Sequence, residues 1–99
     1  MNDTKNLAVK ICIDGLKEIV LNVLAEAKEK DEHLGVAKVK NGTGIGNQFP
    51  GKAAKEFANP FTRALLLQLV DEGLVRKYGE GKGGWWEITD AGLSKLHNR

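Results

Sequence analysis

Cysteine is almost missing from this chain: 99 residues contain one thiol, Cys12. A lone cysteine cannot staple a fold internally, which excludes a disulfide scaffold and fits a reducing, cytoplasmic compartment. Long apolar runs are missing as well. No stretch approaches the roughly 18 consecutive apolar residues of a membrane span, so no membrane partner is expected. The first apolar run, Leu7 to Ile13, is broken by Lys10 and lacks a cleavage-type flank, which argues against a secretory leader. Neither His33 nor His97 has a cysteine or histidine at ligand spacing, so no zinc site and no cofactor are expected. Glu26, Glu29 and Glu32 form a carboxylate ridge that reads as solvated helix surface rather than an acid–base pair. A chain this short leaves little room for an enzyme's cleft once its core is filled. The expectation is a binding module and not an enzyme.

What is present is ordinary in amount and uneven in arrangement. The chain is 41% hydrophobic and 28% charged, the make-up of one globular domain over residues 1–99, without repeats or linkers. The net charge of +2 announces no partner by itself. Its distribution says more. Residues 14–33 carry six acidic side chains against three basic ones, whereas residues 34–63 carry Lys38, Lys40, Lys52, Lys55 and Arg63 against Glu56 alone. A basic stretch beside an acidic helix is the asymmetry of a small nucleic-acid binder, and equally of a solvated loop with ordinary lysines.

Apolar spacing gives the elements. Leu16, Ile19, Val20, Val23, Leu24 and Ala27 recur at i, i+3, i+4, i+7, which predicts an amphipathic helix over 14–32 with Asp14 as N-cap. Leu7 to Ile13 extends that helix backward through Gly15 or forms a short alternating strand; helix is favoured, giving a helical part over 1–32. Cys12, among Val9, Ile11, Ile13 and Leu16, reads as a small buried hydrophobe, and His33 as a residue complementing a helix end. Residues 33–58 read as loop and short helix. Leu34 to Val39 is a short helix or strand, Asn41 to Asn47 holds three glycines and reads as loop, and Gly51 to Ala58 is a short helix. Asn59-Pro60 is a start signal, asparagine as N-cap and proline at the first helical position, for a helix over 59–73 stopped by Gly73. Leu74 to Tyr78 and Trp85 to Thr89 predict two strands around the loop Gly79 to Gly84, within a hairpin over 74–89. Spacing from Ile88 points Trp86 inward and Trp85 outward. Thr89 or Asp90 then caps a last helix over 90–97.

The exit Asp71-Glu-Gly-Leu-Val75, the glycine loop and the return segment Trp86-Glu-Ile-Thr-Asp-Ala-Gly-Leu93 together resemble the winged helix-turn-helix superfamily. MarR-like and PadR-like bacterial regulators share that arrangement. The resemblance covers about residues 59–96. It implies a mainly α domain with a small β-hairpin wing, in which the helix from Pro60 to Glu72 enters a DNA major groove and the wing follows a phosphate backbone. Carried over by position, the DNA-binding candidates are Thr62, Arg63 and Gln68 on that helix and Lys82 in the wing. Lys52 and Lys55 precede the helix, and Arg76 and Lys77 stand at the wing's base, within reach of phosphates. Arg63 has the fork that matches a guanine edge.

The same helix departs from the pattern, because Ala64, Leu65, Leu66, Leu67, Leu69 and Val70 leave it little polar face, and a helix apolar all round is generally buried. The expected function is a small double-stranded-DNA-binding regulator or accessory factor, a homodimer through the helix of Leu7 to Ala27 and the spare apolar face around Leu67. The alternative is an adaptor whose apolar face around Leu67 takes a protein partner. Gly46 to Ala53 matches a GxxxxGK phosphate loop up to its last position, where Ala53 lacks the hydroxyl that holds magnesium. It reads as a glycine-rich loop before a helix.

Overall fold

The structure is a computed structural model that describes residues 2–48, 51–79 and 84–97. Helix α1 (Asn2–Glu29) is continuous. The helical reading of Leu7 to Ile13 is the one found, and Asp14 lies mid-helix instead of capping it. Gly15 has open space where a Cβ would stand, so its cost is the ordinary glycine penalty of about 1 kcal/mol. Val20, Leu21, Leu24 and Ala27 form the buried stripe. Cys12 is exposed, because it falls with Gly15 and Ile19 on the opposite side of the helix.

Leu34 is the first point where the middle of the chain is tied down. It pairs with Trp86 as an isolated antiparallel bridge, and the Trp86 N–H donates to the Leu34 carbonyl at 2.9 Å. Helix α2 (Val36–Thr43) follows directly, so Leu34 to Val39 contains both a strand-like contact and a helix start. The predicted glycine loop is shorter than its composition suggests. Asn41 and Gly42 are helical, and a Cβ on Gly42 would come within 2.9 Å of Val23 Cγ1, so the glycine lets α2 lie close on α1. Gly44 (φ 76°) ends the helix in the left-handed conformation, and a 3-10 turn covers Ile45–Gln48.

The largest departure comes next. Residues 52–71 form one helix, α3 (Lys52–Asp71), with Pro60 inside it rather than two helices meeting at Asn59-Pro60. Proline removes the amide that would bond the Glu56 carbonyl, and it does so on the solvent-facing side of the helix, where both residues are exposed. Ala58, on the preceding turn, is fully buried together with Leu65, Leu66 and Leu69, and this packing carries the helix across the proline. Its far end follows local rules. The Leu74 N–H donates to the Leu69 carbonyl and the Gly73 N–H to that of Val70, the Schellman arrangement, with Gly73 at φ 78°.

Strands β1 (Val75–Tyr78) and β2 (Trp85–Ile88) pair antiparallel, with Val75 opposite Ile88 and Lys77 opposite Trp86. Opposed residues share a face, so Val75, Trp86 and Ile88 enter the core while Arg76, Tyr78, Trp85 and Glu87 face out. Trp86 is 3% exposed, as its spacing predicts. Thr89 caps α4 (Asp90–His97): its Oγ1 accepts from the Gly92 N–H at 3.1 Å, while its hydroxyl donates to the Gly73 carbonyl at 2.7 Å. Gly92 faces the Leu74 carbonyl and Ile88 so closely that no Cβ fits. The described residues thus make four helices and a two-stranded antiparallel hairpin around one apolar cluster, in an order consistent in general terms with a winged-helix topology.

Candidate nucleic-acid interface

Helix α3 presents a broad face to solvent because only one side of it packs. At 100° per residue, the buried residues Ala58, Thr62, Leu65, Leu66 and Leu69 cluster on one side. Lys52, Glu56, Phe57, Pro60, Arg63, Ala64, Leu67, Gln68 and Asp71 share the other. The helix is therefore not buried all round. Phe57 (55%) and Leu67 (44%) are among its exposed large apolar side chains.

Along one edge of this face runs a groove of about 850 Å³ between the start of α2, the Asn59–Arg63 stretch of α3 and the hairpin. Lys38, Arg63 and Lys77 line it together with His33, and no carboxylate is among the described lining residues. Each cation has a structural reason for being there. Arg63 stands on the solvent edge of α3. Lys77 is on the inner face of β1, where its stem lies along the hairpin and its Nζ sits 5.4 Å from the centre of the Trp86 ring, an amphipathic placement that keeps the charge at the groove. Lys38 lies in the first turn of α2. The N-cap of that helix is Gly35, which has no side chain to satisfy the first-turn amides, so the positive end of the helix faces the groove uncapped. The Leu34–Trp86 bridge holds this helix start against the hairpin. Asn59 also lines the groove, and its Oδ1 is buried without a hydrogen-bond partner, a consequence of its lying inside α3 instead of capping a helix.

The residues expected from the sequence scatter around this groove. Arg63 and Lys77 meet in it. Lys52 is exposed at the start of α3, and Gln68 is exposed on the far edge of the helix face. Arg76 is exposed on the opposite face of the hairpin, paired across the strands with Glu87, and faces away from Lys77. Thr62 offers a groove-reading role nothing: its side chain is fully buried and its Oγ1 donates to the Ala58 carbonyl at 2.8 Å. Lys82 and the side chain of Lys55 lie outside the described residues. Lys38 and His33 belong to the groove without being among the DNA-binding candidates read from the sequence. For Lys38 the signal was its place three residues after Gly35, at the start of the basic stretch 34–63. His33 lies beyond the end of α1 and stacks on Trp85, with ring centres 4.6 Å apart and planes 12° apart; Tyr78 stacks on the same indole at 5.7 Å. Trp85 is thus half-buried on the outer face by two rings rather than free.

Two ion pairs brace the surroundings. Lys17 of α1 meets Glu72 at the end of α3 at 2.9 Å, and Lys28 meets Glu87 of β2 at 3.8 Å. Among the described residues no group of three histidines, cysteines or carboxylates stands where it would hold a metal ion, and no helix is long and apolar enough to cross a membrane. Comparison of the chain with protein-family models, curated proteins and solved structures gives no match.

Proposed function

We propose that this chain is a winged-helix module that binds double-stranded DNA, as a small regulator or accessory factor. The observation that carries the reading is the convergence of Lys38, Arg63 and Lys77 with the uncapped start of α2 in one groove beside the exposed face of α3. Phosphate oxygens are what such a set of cations and free amides recognises. In this reading α3 lies in the major groove, one backbone strand passes over the Lys38–Lys77 groove, and the glycine-rich loop with Lys82 follows a neighbouring backbone. A homodimer would pack through the outer side of α1, where Cys12 and Ile19 are exposed.

Phe57 and Leu67 favour a second reading, because exposed apolar side chains on one helix face also suit a protein partner. One set of variants separates the two. Lys38→Gln/Arg63→Gln/Lys77→Gln is expected to reduce retention of labelled duplex DNA by roughly tenfold or more at low salt, with size in solution and circular dichroism unchanged. Leu67→Glu is expected to leave DNA retention close to that of the parent. If the triple variant retains DNA like the parent, the groove is not the site. If the parent retains none and Leu67→Glu alters its association, the adaptor reading stands instead.

A further inference from the structure

We infer that the DNA taken by this surface is recognised through its backbone and shape, with almost no reading of base sequence. The inference rests on the DNA-binding reading above and concerns what α3 has available once it lies in a groove. Base edges are read by side chains with donors and acceptors at the centre of the presented helix face. Here the middle turns of that face present Pro60, Leu67 and Ala64, which carry none, and the carboxylates Glu56 and Asp71 share its centre line only toward the ends of the helix. The hydroxyl of Thr62 is withdrawn into the core and bonded to Ala58. Arg63 and Gln68 remain as readers, but five residues of helix place them about 140° apart, at opposite edges of the exposed face. Edge positions meet the groove walls, where phosphates and sugars are, so Arg63 and Gln68 are placed for backbone contacts and not for base edges.

The charges agree with that division. The cations Lys38, Arg63 and Lys77 collect along one edge, where a backbone strand would run, and not over the middle of α3. Glu56 and Asp71 lie toward the two ends of the helix, and the apolar centre is suited to thymine methyl groups and sugar rings, which differ little among sequences. Affinity then comes from counterion release, and no bidentate base contact adds discrimination to it. The chain binds many duplexes about equally.

The test is selection of duplexes from a random-sequence pool by the full chain, followed by affinity measurements on the most enriched sequence and on its scrambled versions at one salt concentration. Enrichment without a common motif, and affinities spread over about fivefold or less, are expected, because a single bidentate base contact would already spread them by roughly five- to 150-fold. Arg63→Gln should weaken all duplexes by a similar factor. A selected motif of four or more base pairs bound at least a hundredfold better than its scrambled versions would overturn the inference and leave DNA binding standing. A loss in Arg63→Gln confined to duplexes with guanine at one position would assign Arg63 to base reading and overturn it as well. No retention of any duplex removes the inference together with the reading beneath it.

Discussion

The two ends of α3 obey different rules. At its C-terminal end the local signals and the hydrogen bonds agree: Gly73 turns the chain, the Leu74 and Gly73 amides close on the Leu69 and Val70 carbonyls, and the Thr89 hydroxyl reaches back to the Gly73 carbonyl. At its N-terminal end the local signals point the other way. Gly51 (φ 66°) offers no side-chain cap, Asn59-Pro60 has the chemistry of a helix start, and yet the helix runs through both residues. Local chemistry decides structure where packing agrees with it, as at Gly73. Where a buried neighbour such as Ala58 lies on the other side of the signal, packing prevails.

Four substitutions break or sharpen this contrast. The largest effect belongs to Gly92→Ala, at the joint between hairpin, α3 exit and α4. The added methyl would meet the Leu74 carbonyl and come within 2.6 Å of Ile88 Cγ1. Overpacking of that kind is expected to cost about 3 kcal/mol, read as a lower urea midpoint at unchanged slope. A parent-like midpoint would mean that α4 moves away freely and the joint is loose. Pro60→Ala acts at the other end. It restores an amide to the Glu56 carbonyl within a continuous helix and should stabilise the chain by about 2 kcal/mol. If two helices met at Asn59 instead, the same change would be neutral or destabilising.

Thr89→Val removes the cap on α4 and the bond to Gly73 while keeping the side-chain shape, and should cost about 1–2 kcal/mol, with Thr89→Ser restoring most of it. Parent stability in Thr89→Val would show that Asp90 alone suffices as a cap. The smallest effect is expected at Glu72→Gln. Its partner Lys17 is mostly covered, but Glu72 is exposed, so losing this ion pair should cost about 0.5 kcal/mol and less at high salt. A loss of several times that amount would make the pair a main clamp between α1 and α3.

Much of the C-terminal half was legible in the sequence, because its determinants are local. Alternation around Ile88 oriented both tryptophans, Gly73 marked the helix exit, and Thr89 was one of the two residues offered as the cap of the last helix. The region from His33 to Asn59 was less legible. The bridge from Leu34 to Trp86 joins residues far apart in the chain, and the close approach of Gly42 to Val23 is likewise tertiary. Some of the candidate site was present in the spacing but masked by polarity. Thr62 lies four residues before Leu66 and seven before Leu69, so helical periodicity places it on the buried stripe, although a threonine on a reading helix looks like a groove contact. Lys77 shows the reverse: alternation puts it on the inner face with Trp86, and its length carries the ammonium back to the surface. Arg76, its neighbour, is thereby turned away from the groove.

The central claim is that cations around one groove bind DNA phosphates, and the most direct measurement is the salt dependence of duplex binding by the intact chain. Fluorescence anisotropy of a labelled random duplex, titrated with protein between 50 and 200 mM salt, yields the slope of log affinity against log salt. Three to four neutralised phosphates give a slope of about −3 to −4, the result expected for Lys38, Arg63 and Lys77 with one further contact. A slope near zero, or no binding at the lowest salt, would contradict the claim and direct the search for a partner to the apolar face of Phe57 and Leu67.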